Sequence, residues 1–217
     1  MQVLKSVKTK SGNTIELLTS GDEITRVLVI GVFHGDEPQG DFLIREYLKT
    51  NVSDLFFIPC LNPDGMFSNT RTNANGVDLN RNFPTKNWGK NEGDNATCDD
   101  CTTDYYGGKE PASEIETRFL IDIIEEYKPE LILTIHAPYK VVNYDGPAEK
   151  FAEDISKIIG YPVEASIGYP TPGSFGTYCG VERNIPTITL ELDEKIPVEE
   201  LVQPVFKILD YLSSIKF

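Results

Sequence analysis

Hydrophobic residues recur in short runs whose spacing alternates between strand-like and helix-like along most of the chain. Apolar runs of strand character are predicted at residues 2–8, 14–19, 26–32, 55–59, 131–136 and 187–192. Helical spacing is predicted at residues 39–50, 113–127, 148–159 and 198–214. This alternation predicts an α/β fold with a mixed, centrally parallel twisted sheet and helices on both faces.

Local signals mark several boundaries of these elements. Residues 11–13, Ser-Gly-Asn, predict a hairpin turn between the first two strands. Ser113 is predicted to begin the second helix as its N-cap, with Glu116 completing a capping box, and Gly160 is predicted to end the third helix. The run at 26–32 is nearly continuous, which is typical of a strand buried on both faces.

Residues 62–111 lack any periodicity and are rich in Gly, Asn, Asp, Pro and Thr. A segment this long in a compact domain is usually functional or disordered, and we predict a functional one. Arg71 and Arg81 lie there among short amide side chains, where they could bind a carboxylate or an oxyanion or remain solvated surface charges. A second Gly- and Pro-rich stretch, 167–180, is predicted to form a shaped loop.

Composition and charge narrow the class of protein. The length of 217 residues suits a single domain, residues 1–217, and the formal net charge of −14 argues against nucleic acid or an anionic membrane as a partner. No apolar run is long enough to span a membrane, and the first residues lack the apolar core of a signal peptide. We therefore expect a cytoplasmic protein.

Cys98 and Cys101 have the C-x-x-C spacing. A structural zinc site would need a second such pair, and the polar surroundings do not match a redox motif at a strand–helix junction. A local disulfide or two free thiols is the expectation.

The chain has two histidines, and each ends an apolar run. His34 follows the run at 26–32 and precedes Glu37 by three residues, while His136 ends the run at 131–136. Imidazole nitrogens and carboxylate oxygens are ligands for zinc, and a catalytic zinc site keeps one position open. These residues predict a metal site at the ends of strands.

Glu191 interrupts an apolar strand. A buried carboxylate needs a cationic neighbour, a water held by a metal or a raised pKa, unless its side chain points outward into solvent. Next to a zinc site it could act as a general base.

Together, His34-x-x-Glu37, Arg71, residues 78–83, His136 and Glu191 occur in the order and approximate spacing of the zinc metallocarboxypeptidases, the carboxypeptidase A-like family. The resemblance extends from residue 28 to about residue 194. It implies a zinc carboxypeptidase-like fold in which one Zn²⁺ per chain is held by His34, Glu37 and His136.

The resemblance also implies roles for the other residues. Arg71 would stabilise the oxyanion, Asn80 and Arg81 would bind the substrate's free C-terminal carboxylate, and Glu191 would be the general base. A further implied role is the orientation of His34 by Asp78.

The family's mobile tyrosine has two candidates here, Tyr169 and, further along the loop, Tyr178, and either could instead pack the loop. Within the family, the small size and the loop 169–180 most resemble bacterial amidases of murein peptides. Those enzymes hydrolyse the bond between γ-D-glutamate and meso-diaminopimelate.

The resemblance therefore implies a zinc-dependent hydrolase of small peptides with a free C-terminal carboxylate. Two alternatives remain open. One is an amidohydrolase of the aspartoacylase or succinylglutamate desuccinylase type, and the other is a non-catalytic peptide-binding module.

Overall fold

The computed structural model describes residues 1–21, 26–89, 105–165 and 171–217. Within those ranges the strands are β1 (Gln2–Lys8), β2 (Thr14–Thr19), β3 (Val27–Gly31), β4 (Phe56–Ile58), β5 (Leu131–His136), β6 (Val141–Asp145), β7 (Val163–Glu164) and β8 (Thr187–Glu191). The helices are α1 (Gln39–Thr50), α2 (Pro63–Ser68), α3 (Ile115–Tyr127), α4 (Glu149–Ile159) and α5 (Val198–Ser213). Short helical turns are found at Leu79–Arg81 and Thr177–Val181.

The described strands form one mixed sheet in the order β1-β2-β4-β3-β5-β8-β6-β7. Strands β4, β3, β5 and β8 are parallel to their neighbours in this central part, whereas β1 pairs with β2 and β6 pairs with β8 in antiparallel fashion. Every residue of β3 and β5 is buried, which explains their nearly continuous apolar sequences. The predicted centrally parallel sheet is confirmed.

Each face of the sheet is covered by helices. On one face Val27 and Val29 pack in a core with residues of α1, α4 and α5. On the other face Leu28 and Ile30 pack with α3 and with Phe83, which lies in the long connection between α2 and α3. Because successive strand residues point to opposite faces, one apolar strand supplies both cores, and the prediction of helices on both faces is confirmed.

Strands β6 and β7 were not predicted from the sequence. The outer strand β6 carries two polar residues on one face, Asn143 and Asp145, and both line a cavity. A strand that turns polar side chains toward a cavity loses the apolar alternation by which strands are recognised.

The predicted capping box of α3 is wrong. The N-cap is Glu114, and it makes no capping hydrogen bond with its side chain. The Ser113 hydroxyl instead donates to Glu114 Oε1 at 2.6 Å, and Glu116 is buried where its carboxylate accepts from Asn73 at 3.3 Å. Tertiary partners from the long connection therefore displace the local capping arrangement.

The segment between His34 and Glu37 is held by α2. A Cβ placed on Gly35 would lie 2.0 Å from the carbonyl carbon of Gly65, so the turn and the helix approach as closely as glycine allows. The side-chain oxygen of Asn62 accepts from the Gly65 N–H at 2.9 Å and caps α2. This unpredicted helix therefore sets the position of the turn.

Asp64 in turn ties α2 to the first hairpin. Its carboxylate accepts from Thr9 Oγ1 at 2.7 Å, from Asn13 Nδ2 at 2.7 Å and from the Ser11 N–H at 3.2 Å. Burial alone would raise the pKa of Asp64, but these hydrogen bonds outweigh it and hold the pKa below its usual value. The ionised carboxylate is thus the stabilising form.

We expect Asp64→Asn to lower the free energy of unfolding at pH 7 by about 1–3 kcal/mol, because an amide cannot replace a charged acceptor of several hydrogen bonds. A lowered pKa stabilises the fold above the unfolded-state value of about 4 and loses that effect as the pH falls. In urea unfolding, the difference in free energy of unfolding between the wild type and Asp64→Asn should therefore be smaller at pH 3 than at pH 7.

The matched control is Glu46→Gln on α1. Among the described residues Glu46 pairs with Lys49 of its own helix alone, and surface pairs of this kind contribute about 1 kcal/mol or less. Equal losses in the two variants would contradict the structural role given to Asp64.

Candidate active site

The predicted metal ligands lie at the carboxyl edge of the central strands. His136 is the last residue of β5 and pairs in register with Glu191, the last residue of β8. His34 follows the end of β3, the neighbour of β5 on its other side. Because parallel strands end at the same edge, the fold brings together residues that are far apart in the sequence.

His34, Glu37 and His136 form one compact group. Each offers a ligand atom, and these atoms lie within 4.8 Å of one another. Glu37 lies between the two imidazoles, with Oε1 at 2.8 Å from His34 Nδ1 and Oε2 at 3.0 Å from His136 Nδ1. Two imidazole nitrogens and a carboxylate are a donor set that fits zinc and leaves room for a further ligand.

The charges around this group favour a cation at its centre. Burial alone would lower the pKa of His34, but the charges of Glu37 and Asp78 outweigh it and raise the pKa to about 9. Burial likewise opposes ionisation of Glu37, yet the neighbouring imidazoles hold its pKa well below the usual range. A divalent cation could provide the same compensation with both imidazoles neutral, as metal binding requires.

Asp78 connects the metal-binding group to the arginines. It is fully buried, and its Oδ1 lies 3.3 Å from His34 Nε2 and accepts from the Asn80 N–H at 2.8 Å. Its Oδ2 accepts from Arg71 Nε at 3.1 Å. Burial alone would raise the pKa of Asp78, but the charges of Arg71 and His34 hold it far below its usual value. Asp78 therefore contacts the outer nitrogen of His34, as an orienting residue would.

Arg71 and Arg81 stand together on one wall of the cavity. The Arg71 guanidinium is 3.7 Å from Glu37 Oε1, and the ring of Tyr105 lies 5.0 Å from Arg71 Cζ and 5.7 Å from Arg81 Cζ. Tyr105 was not singled out from the sequence, because nothing in the unpatterned connection marks it. Its ring gives both cations a shared aromatic neighbour.

Arg81 is buried, with 3% of its surface exposed. Its Nη1 donates to the Asn80 carbonyl at 2.7 Å, and its Nε has no hydrogen-bond partner among the described residues. The Asn80 side-chain oxygen accepts from the Phe175 N–H at 2.8 Å, which orients the amide. A buried cation with an unused donor is suited to an anionic group entering the cavity.

Glu191 faces the cavity and not bulk solvent, with 6% of its surface exposed. Its Oε2 has no hydrogen-bond partner within the described part of the chain. Burial raises the pKa of Glu191, and the charge of Glu37 adds to this effect while His136 opposes it. A carboxylate with a free oxygen beside the metal-binding group could exchange a proton with a water molecule there.

Apart from the fully buried Asp78, the side chains described above line one cavity of about 330 Å³. The cavity continues past Glu191 to a second group of side chains that the sequence analysis did not identify, namely Asn143, Asp145, Ser174 and Thr189. Their strand or loop positions carry no motif, so the sequence contained no signal for them.

Two predictions concern residues that the structure does not describe. Tyr169 and the pair Cys98 and Cys101 lie outside the described ranges. Tyr178 is buried, with its ring 5.4 Å from that of Phe83 and 3.3 Å from Arg183 Cζ. The second candidate for the mobile tyrosine therefore packs within the core.

A comparison with protein-family models matches residues 2–158 to the family described as zinc carboxypeptidase. Glu191 lies beyond the matched residues. Among curated proteins, murein peptide amidase A of Escherichia coli K12 is 34% identical over 170 residues, which cover 76% of this chain and 69% of the relative. Murein peptide amidase A of Vibrio campbellii is 36% identical over 189 residues, with 77% and 69% covered.

Solved structures show the same fold. The murein-tripeptide amidase of Escherichia coli O157 superposes with a TM-score of 0.82 at 28% identity, covering 97% of this chain and 91% of that one. Carboxypeptidase A of Helicoverpa armigera gives a TM-score of 0.73 at 18% identity, with 97% and 68% covered. At 18% identity, the similarity to the Helicoverpa armigera enzyme concerns the fold alone.

None of the described helices is both long and apolar enough to cross a membrane.

We expect Asp78→Asn to weaken Zn²⁺ binding by about 10- to 100-fold, because the outer nitrogen of His34 would lose its charged partner. Competition with a chromogenic chelator measures the affinity without any substrate. Asp36→Asn is the control, since Asp36 is an exposed carboxylate at the same cavity. Unchanged affinity in Asp78→Asn would contradict the orienting role.

Proposed function

Because this chain belongs to the zinc carboxypeptidase family, whose members hydrolyse peptide bonds, we propose that it is a zinc-dependent amidase of murein peptides. The proposed reaction releases the C-terminal residue at the bond between γ-D-glutamate and meso-diaminopimelate. The substrate follows from the curated relatives at 34% and 36% identity, which are named murein peptide amidase A.

One observation carries the catalytic part of the proposal. His34, Glu37 and His136 offer ligand atoms that lie within 4.8 Å of one another. Glu191 lines the same cavity, and its Oε2 has no hydrogen-bond partner among the described residues. A metal-binding group with an adjacent free base is the arrangement that hydrolysis of an amide by water requires. Neither a simple binding module nor a structural metal site needs such a base.

The roles of the residues follow from their positions. His34, Glu37 and His136 would hold the Zn²⁺. When bound, zinc lowers the pKa of a water molecule and polarises the scissile carbonyl. Glu191 accepts a proton from the attacking water and later returns it to the leaving amine, a transfer favoured by its raised pKa.

The two arginines would bind one oxygen that becomes negatively charged during the reaction and one carboxylate that already carries a charge. Arg71, next to Glu37, would donate to the oxygen that becomes negatively charged, a contribution of about 3–4 kcal/mol for one such donor. Arg81 and Asn80 would bind the free carboxylate of the C-terminal residue. By the family resemblance, Tyr169 would be a further substrate-binding residue.

We expect Glu191→Gln to retain zinc but to lower kcat by at least about 100-fold, because glutamine cannot accept the proton of the attacking water. Zinc content by atomic spectroscopy and hydrolysis of the murein tripeptide give the two readouts. Glu194→Gln, at an exposed carboxylate of the same cavity, is the control. Retained activity in Glu191→Gln would exclude Glu191 as the general base.

Arg81→Ala should raise KM at least about tenfold for substrates with a free C-terminal carboxylate, because a charge-assisted hydrogen bond is lost. The same peptides with an amidated C-terminus serve as the control, since they lack the negative charge. A similar change in KM for both substrate forms would show that Arg81 does not bind the carboxylate.

A further inference from the structure

Another carboxylate of the active-site cavity, Asp145, lies away from the metal-binding group. It is the last residue of β6, and its side chain makes no hydrogen bond or ion pair with any described residue. Burial raises the pKa of Asp145 to about 6. An anionic group placed in a cavity without a partner is costly unless a ligand compensates it.

The position of Asp145 follows from the register of β6 against β8. Val141 lies opposite Glu191, Asn143 opposite Thr189, and Asp145 opposite Thr187. Directly opposed residues point to the same face, so Asp145 faces the same side of the sheet as Glu191. Asp145 lies four residues along β6 from Val141, the residue opposite Glu191, so the backbones of Asp145 and Glu191 are about 14 Å apart along the strands. Side chains that extend toward each other shorten the distance between the two carboxylates.

Two glycines lie so close to Asp145 that a side chain on either would collide with it. A Cβ on Gly176 would lie 2.1 Å from Asp145 Oδ2, and a Cβ on Gly180 would lie 2.4 Å from Asp145 Cβ. Gly176 has helical backbone angles, φ −60° and ψ −43°, so its conformation does not require glycine. The need for glycine at this position comes from the carboxylate beside it.

We propose that Asp145 is a specificity-determining residue that binds the ammonium group on the side chain of the substrate's C-terminal residue. The inference rests on the proposed function, in which Arg81 and Asn80 bind the α-carboxylate of that residue. The side chain of that residue would then extend along the cavity toward Asp145. In meso-diaminopimelate, three methylene groups separate the Cα atom from the carbon that carries the second ammonium.

The chemistry of the cavity supports a cationic side chain over an apolar one. An ammonium would donate to the free oxygens of Asp145 and neutralise a charge that no described side chain neutralises. An apolar side chain of the same length would leave that carboxylate desolvated and unpaired. Sites built around a polar partner discriminate strongly against ligands that lack it.

The test compares two substrates that differ in the ammonium alone. These are L-Ala-γ-D-Glu peptides that end in meso-diaminopimelate or in L-2-aminopimelate, which lacks the second amino group. The wild-type protein should have a kcat/KM about 10- to 100-fold higher for the diaminopimelate peptide, as expected for one charge-assisted hydrogen bond. Asp145→Asn should bring this ratio close to one.

Gly176→Ala provides a second variant that keeps the carboxylate but displaces it. The helical backbone at Gly176 accepts alanine, so the expected effect is movement of the Asp145 side chain and loss of the preference for the ammonium. Glu194→Gln removes another carboxylate from the same cavity and should leave the ratio unchanged. An unchanged ratio in both Asp145→Asn and Gly176→Ala would overturn the proposal.

A binding measurement separates this proposal from the proposed function. Calorimetry of the zinc-loaded protein with free L-lysine and free L-norleucine compares ligands with and without a side-chain ammonium. If neither murein peptide is hydrolysed but L-lysine binds at least tenfold more tightly and Asp145→Asn removes the difference, the murein substrate is wrong and the role of Asp145 stands. If the diaminopimelate peptide is hydrolysed but the ammonium group gives no preference, the murein substrate stands and the role of Asp145 is wrong.

Discussion

The active-site edge of this protein depends on the mutual compensation of buried charges. Glu37 and Asp78 are carboxylates removed from water, and each is surrounded by cationic partners, His34 and Arg71 among them. Removing one partner from such a group leaves another charge unpaired, which costs several kcal/mol. The arrangement therefore holds each side chain in place through the others, and the orientation of His34 is a consequence of the same contacts.

Close packing brings the backbone segments to that edge. Gly35 meets Gly65 of α2 at a distance that excludes a side chain, and Gly176 leaves room for Asp145. The central strands β3, β5 and β8 place His34, His136 and Glu191 along one edge of the sheet, while β6 extends the same cavity away from it. The proposed proton transfer at Glu191 and the proposed recognition of the leaving residue at Asp145 therefore lie in different parts of one cavity.

Much of the fold could be predicted because burial imposes a visible pattern. The strands β3 and β5 are buried on both faces and have continuous apolar sequences, and α1 was predicted with the bounds that the structure shows. The predictions from sequence failed where contacts between distant parts of the chain replace local ones. In β6 the residues Asn143 and Asp145 face a cavity, and at the start of α3 Ser113 bonds to Glu114 and Asn82 instead of capping the helix.

By itself, the sequence determined which chemical groups are available and the order in which the strands carry them. The two histidines were identified from their places at the ends of apolar runs, Glu37 from its spacing after His34, and Glu191 from its place within an apolar run. Only the tertiary structure decided that Tyr105 lies beside both arginines and that Asp145 enters the cavity. These two residues belong to no motif, because their contacts are made across long sequence separations by packing of the chain and leave no local pattern.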